Sequence, residues 1–308
     1  MKAFYSDHFV LPLPEGHRFP MAKYSMLREE LVQELSAVQM FEAPAATEGE
    51  LALAHAPDYV QAVKSGTLSP EALREIGFPW TPAMAERSIR SAGASIAAGR
   101  AALKEGISGN LAGGTHHASA NQGGGFCVFN DIAVTARVLQ MEYFRQTKKT
   151  LQVLVVDLDV HQGNGTASIF ANDPSVFTLS LHGEKNFPFR KVPSDLDVGL
   201  PDGCTDGPYL EALDRALIEM SERFKPDFLI YLAGADAHEG DRLGRLKLTE
   251  AGMAARDQKV FDWTLASNIP MIICMGGGYG HDLRSTVAVQ MNTWRLALRH
   301  WLHWQNRG

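Results

Sequence analysis

The chain has 308 residues, 45% apolar and 21% charged, and its 29 basic and 35 acidic side chains leave a net charge of −6. That composition excludes a disordered chain, a fibrous repeat and a basic nucleic-acid binder: there is enough apolar surface for a sizeable core and no positive field to gather phosphates. No run approaches the ~20 apolar residues of a membrane span.

Residues 1–9 carry Lys2, Asp7 and His8 where a signal peptide needs an apolar core. Cys127, Cys204 and Cys274 lack the spacing of a disulfide framework or a cysteine zinc site. One cytoplasmic domain over residues 1–308 is expected, with its oligomeric state open.

In chain order, the first hundred residues are broken by Pro12, Pro14, Pro20, Pro44, Pro57, Pro70, Pro79 and Pro82, and read as helices and loops flanking a sheet. Apolar runs at 110–113, 151–158, 176–181, 227–233 and 270–275 predict buried strands. Between them lie two long loops, 115–126 and 183–206, rich in Gly, Pro and polar residues. Tyr209, Leu210, Leu213, Leu217, Met220 and Phe224 recur at helical spacing behind Asp206, a candidate N-cap, and Pro208. Thr249 is positioned to cap a second helix reaching about residue 266, and 283–304 reads as a closing amphipathic helix packed through Trp294, Trp301 and Trp304. Strands alternating with helices predict an α/β fold with a mostly parallel sheet covered on both faces.

The conspicuous polar residues fall just past the ends of those strands. His116 and His117 follow the first, Asp157, Asp159 and His161 close the second, Asp236 follows the fourth, and Tyr279 follows the fifth after three glycines. In open parallel sheets ligands bind beyond the carboxyl ends of strands, so residues distant in sequence converge there. Asp159 and His161 are two apart on an extended chain and point to one side, where both can grip one ion. Asp236 would complete one nitrogen and two oxygen donors, leaving room for water and substrate as a catalytic zinc requires. Asp157 shares that face and is placed to buttress an imidazole. A histidine near such an ion is a natural base at neutral pH.

Gly113-Gly114-Thr115-His116-His117, Gly123-Gly124-Gly125-Phe126-Cys127, the run Asp157-Leu158-Asp159-Val160-His161-Gln162-Gly163-Asn164-Gly165 and Gly276-Gly277-Gly278-Tyr279 resemble, in order, the motifs of the histone deacetylase superfamily. Gln162 and Glu239-Gly240-Asp241-Arg242-Leu243-Gly244 are similar to its class IV branch in a compact bacterial-type form. The resemblance implies a single arginase-like domain and hydrolysis of acyl-lysine. It implies zinc on Asp159, His161 and Asp236, His117 as base and then acid with His116 as its electrostatic partner, and Tyr279 as donor to the developing oxyanion. It further implies that Asp157 orients His116 and Asn164 faces His117. Phe126 and Phe187 would wall the acyl-lysine tunnel, the carbonyl of Gly125 would accept the substrate amide proton, and a structural potassium would rest on Asp157, the carbonyl of His161 and Ser180.

Acetylpolyamines or other acylated small amines are the alternative carriers to an acyl-lysine protein or peptide. A dimanganese ureohydrolase is disfavoured because His238 stands where a further carboxylate would be wanted, and a non-catalytic acyl-lysine binder because no catalytic residue is missing. His182 and His238 lie near the same strand ends, and Cys127 is expected to be buried near the site. At the rim, 74–82 contains Glu75 but no Asp, and Phe78 and Trp80 predict a stiff apolar lip, acyl chains longer than acetyl, and weak dependence on flanking residues.

Overall fold

In a computed structural model, which describes residues 1–306, eight strands pair in parallel throughout. They are β1 (Lys2–Tyr5), β2 (Gln39–Glu42), β3 (Ile107–Asn110), β4 (Val153–Asp157), β5 (Val176–Gly183), β6 (Leu196–Leu200), β7 (Phe228–Leu232) and β8 (Met271–Cys274), in the order β2-β1-β3-β8-β7-β4-β5-β6. Ten α-helices surround them: α1 (Ala22–Glu34), α2 (Glu48–Leu51), α3 (Pro57–Ser65), α4 (Pro70–Ile76), α5 (Pro82–Glu105), α6 (Asp131–Thr147), α7 (Asn164–Phe170), α8 (Asp206–Arg223), α9 (Glu250–Ser267) and α10 (Leu283–Gln305).

The central strands are buried on both faces, which is why they read as continuous apolar runs. Alternation along each strand divides them between two cores. Leu154, Val156, Leu229, Tyr231, Met271 and Ile273 pack with residues of α1, α8, α9 and α10, whereas Val153, Val155, Phe228, Ile230, Ile272 and Cys274 pack with α5 and α6. Burying one such aliphatic side chain contributes about 1.5–3 kcal/mol, so both helical layers are fastened by the same short strands.

Several sequence expectations are corrected. The first hundred residues supply β1 and β2 as well as helices, and β6 lies inside the segment expected to be a loop. Edge strands are half-solvated, so Gln39, Glu42, Asp197 and Gly199 interrupt the apolar signal. The strand expected at 110–113 ends at Asn110, and 111 onward already turns toward the site. Three of the N-terminal prolines begin helices: Pro57, Pro70 and Pro82 occupy first turns, where the missing N–H costs nothing. Thr205, not Asp206, is the N-cap of α8, and the Asp206 carboxylate instead accepts from the backbone N–H and hydroxyl of Thr249 at 2.8 and 2.6 Å.

The chain leaves β3 for β4, builds outward through β5 and β6, and returns to fill the gap with β7 and β8. The carboxyl ends of β3, β8, β7 and β4 therefore lie side by side, and the four loops that leave them share one crevice. Among the described residues no helix is long and apolar enough to cross a membrane.

Candidate active site

Asp159, His161 and Asp236 come together as one group, their ligand atoms all within 4.8 Å of one another. His161 Nδ1 lies 3.0 Å from Asp159 Oδ1 and 3.2 Å from Asp236 Oδ2. Bonds of about 2.0–2.2 Å in a tetrahedral shell put neighbouring donors a little over 3 Å apart, so the nitrogen stands from each of the two oxygens at about the spacing a zinc-sized ion needs. The carboxylates are held from behind as well: Asp159 Oδ2 accepts from Gly277 N–H at 2.6 Å and Asp236 Oδ1 from Val160 N–H at 2.9 Å. A Cβ on Gly277 would sit 1.9 Å from Asp236 Oδ2, so only glycine lets that backbone approach. Burial and the neighbouring Asp159 raise the Asp236 pKa to about 7, the strain of gathering negative charge that a bound cation relieves.

His116 and His117, carried by the loop after β3, stack with centroids 4.1 Å apart but differ in partner. His116 Nδ1 meets Asp157 Oδ2 at 2.6 Å, whereas His117 Nδ1 meets the neutral Asn164 Oδ1 at 2.7 Å. Burial works against a charge on His116, yet Asp157 and Asp159 outweigh it and raise its pKa to about 9. For His117, burial together with His116 and His161 drives the pKa well below the usual value. The two partners thus push the two imidazoles in opposite directions, His116 toward the charged form and His117 toward the neutral one. Asp131, which sequence reasoning missed because it resembles an ordinary first-turn acid, anchors this loop by accepting from Thr115 N–H at 2.7 Å and Gly114 N–H at 3.2 Å.

Tyr279 is placed beside them by the segment 239–244. Asp241 accepts from Tyr279 N–H at 2.6 Å, and Arg242 Nε donates to the Tyr279 carbonyl at 2.7 Å. Burial and the two carboxylates Asp159 and Asp236 push the phenol pKa well above its usual value, which keeps the O–H available to donate. Below the ring lies Lys23, 1% exposed, donating to Gly278 O at 3.2 Å with its Nζ 5.3 Å from the Tyr279 ring centroid. Lys23 was also missed, since the proline-broken start offers no period; its only signal is a lysine flanked by Phe19 and Tyr24.

Phe126 and Phe187 both line the mouth of the crevice, with the Phe187 ring 4.9 Å from that of His117. Gly125, at φ +51°, runs its backbone against the His117 ring. Asp157 and Ser180 are direct partners in the β4–β5 register, and Ser180 Oγ lies 2.9 Å from His182 Nδ1. His182 and His238 do not line the site; His238 accepts from Gly240 N–H at 3.2 Å. Cys127 is buried and lines the inner cavity.

The expected apolar lip is not there. Phe78 is buried against Phe126, centroids 5.3 Å apart, and Trp80 turns inward to donate from Nε1 to Val63 O at 2.7 Å. The residues of 74–82 that face the mouth are Arg74, Glu75, Ile76 and Gly77. Apolar side chains gain more by joining the core beside Phe19 and Phe126 than by standing in water.

A histone deacetylase domain is matched over residues 17–294. The chain is 42% identical over 285 residues to an uncharacterized protein of Picosynechococcus sp., covering 92% of this chain and 93% of that one. It is 31% identical over 285 residues to histone deacetylase 2 of Arabidopsis thaliana, covering 89% and 72%. Its fold superposes on a crystal structure of a histone deacetylase homolog complexed with SAHA with a TM-score of 0.79 at 25% identity, covering 96% and 83%.

Proposed function

The chain belongs to the histone deacetylase family, and from that premise we propose that it is a zinc-dependent hydrolase that removes acyl groups from amines, acyl-lysine in a protein or peptide first among them. The observation that carries the reading is the juxtaposition of the Asp159–His161–Asp236 group with a His pair that faces two different partners, Asp157 and Asn164, and with a buried tyrosine. Zinc, held by those three residues, would supply a Lewis acid to polarise the amide carbonyl and acidify a neighbouring water.

The chain's own groups do the rest. His117 donates from Nδ1 to Asn164, which leaves Nε2 with a free lone pair to take a proton from water. His116, held as the imidazolium by Asp157, places a fixed positive charge beside the reacting centre. The Tyr279 hydroxyl donates to the carbonyl oxygen as it gains negative charge, and His117 then returns the proton to the leaving amine. Phe126 and Phe187 flank the lysine stem and exclude water, while the carbonyl of Gly125 accepts the substrate N–H. Potassium would sit behind the zinc on Asp157, the His161 carbonyl and Ser180, a site supported by the Asp157–Ser180 pairing. Residence in the cytoplasm is supported by three free, buried cysteines.

Two variants read against each other test this. Tyr279→Phe is expected to keep fold and zinc content while kcat on an acetyl-lysine peptide falls about 10²–10³-fold, the usual loss for one oxyanion donor. Asp236→Ala is expected to lose metal and turnover together, because one of three protein ligands is gone. Full turnover in the first, or full zinc by elemental analysis in the second, would refute the assigned roles.

A further inference from the structure

The crevice opens through a groove of about 490 Å³ whose charged lining is Arg18, Arg74, Lys185 and Arg245 against one carboxylate, Glu75. On a chain of net charge −6, four cations around one opening is a local inversion of sign. They come from four separate segments, and each segment is tied to the others. The backbone carbonyl of Arg18 accepts from Arg242 Nη2 at 3.2 Å, and His17 Nε2 meets Gly77 O at 2.9 Å. Gly125 N–H and Phe126 N–H donate to Glu75 O and Ile76 O at 3.0 and 2.7 Å, which fixes Arg74 beside the catalytic loop. Asn186 bridges the last two segments, donating to Leu243 O at 2.8 Å and accepting from Arg245 N–H at 3.2 Å.

Arg74 and Arg245 also meet Glu71 and Asp202, at 2.8 and 3.1 Å, in exposed pairs worth little energy, for which a substrate carboxylate can compete. Among the described residues, neither Arg18 nor Lys185 has an ion-pair partner. Deeper in, the cationic side chains of the mouth give way to Phe19, Phe78 and Phe126 around the Asp159–His161 centre, and Arg87 of the inner cavity already donates to Ser6 O and Phe9 O at 3.0 and 3.2 Å.

We propose that this enzyme acts on acylated amines whose carrier bears carboxylates close to the acylated stem, bound by the cationic ring at the mouth, and that the acyl group itself is neutral. The inference rests on the deacylase reading. It also excludes acylpolyamines as preferred carriers, because their ammonium groups would stand against the same ring. The expected preference for weak dependence on flanking residues, drawn from an apolar lip, is replaced by selection for negative charge.

The zinc-loaded enzyme is assayed on three peptides centred on acetyl-lysine, flanked by Glu, Gly or Lys. The expected order in kcat/KM is Glu over Gly over Lys, about tenfold from end to end at low salt and carried by KM. The spread is expected to shrink toward 1 M salt as the screening length falls to about 3 Å. Arg18→Glu combined with Lys185→Glu is expected to reverse the order. Nε-acetyl-lysine against its α-carboxamide separates the sources: a preference confined to peptides assigns the carboxylates to a protein, one confined to the free acid assigns them to a small molecule. Equal rates on all three peptides together with no preference for the free acid over its carboxamide, or a preference for Lys flanks, overturns the proposal while leaving the deacylase reading intact. Absence of turnover on all of them overturns the deacylase reading instead, and fluorescence anisotropy with the same three peptides then decides the ring by itself.

Discussion

His116 and His117 share a buried setting but meet different partners, a charged carboxylate oxygen in Asp157 and a neutral amide oxygen in Asn164. An acceptor that carries charge stabilises the imidazolium more than a neutral one does. Asn164→Asp is therefore expected to raise the pKa of His117. The sign follows from its proposed role as base: activity is present above the pKa and lost as pH falls through it, so the acidic limb of the kcat/KM profile should move to higher pH. An unmoved limb would show that His117 does not limit the acidic side. Both histidines and Tyr279 were legible in the sequence because each ends a glycine-marked strand exit, whereas Lys23 and Asp131 act only through contacts made after folding.

At the scale of elements, the ends of β4 and β7 must stay in register for Asp159 and Asp236 to meet. Arg256 on α9 secures them, donating from Nη1 to Leu158 O at 3.2 Å and Gly234 O at 2.6 Å while its Nε donates to Asp257 Oδ1 at 2.8 Å. Both members of this ion pair are buried, and removing one partner leaves the other uncompensated. Arg256→Met is expected to cost about 3–5 kcal/mol in denaturant unfolding, against less than about 1 kcal/mol for Arg223→Ala in the exposed α8 pair with Glu219. Equal costs would contradict the role given to burial. In α9 the residues Arg256 and Asp257 stand among Gln258, Lys259 and Asp262, so nothing in the local pattern separates a buried charge from a solvated one.

For the whole molecule, the ligand triad gathers two buried carboxylates beneath the mouth, and an ion bound only by the folded state stabilises that state. At an ion concentration a thousand times Kd the gain is about 4 kcal/mol. Chelation of the zinc-loaded protein is expected to lower Tm by several degrees, with recovery on adding zinc back, while Asp236→Ala should respond to neither. An unchanged Tm in the parent protein would argue that the triad holds no tightly bound ion.

The sequence by itself determined the class of fold, the central strands and which polar residues gather at the candidate site, because strands buried on both faces must be apolar throughout and polar residues at their ends then stand out. It did not determine the edge strands β2 and β6, whose partly solvated backbone tolerates Gln39, Glu42 and Asp197, nor the short β1 beside β2. Nor did it determine the mouth. Whether Phe78 and Trp80 face solvent or core depends on Phe126, Phe19 and Val63, which arrive from distant segments. The ring of Arg18, Arg74, Lys185 and Arg245 likewise exists only once four loops are brought to one opening. Local pattern sets which face of an element is apolar, but the sign of charge around a cavity is a sum over elements that only their tertiary packing fixes.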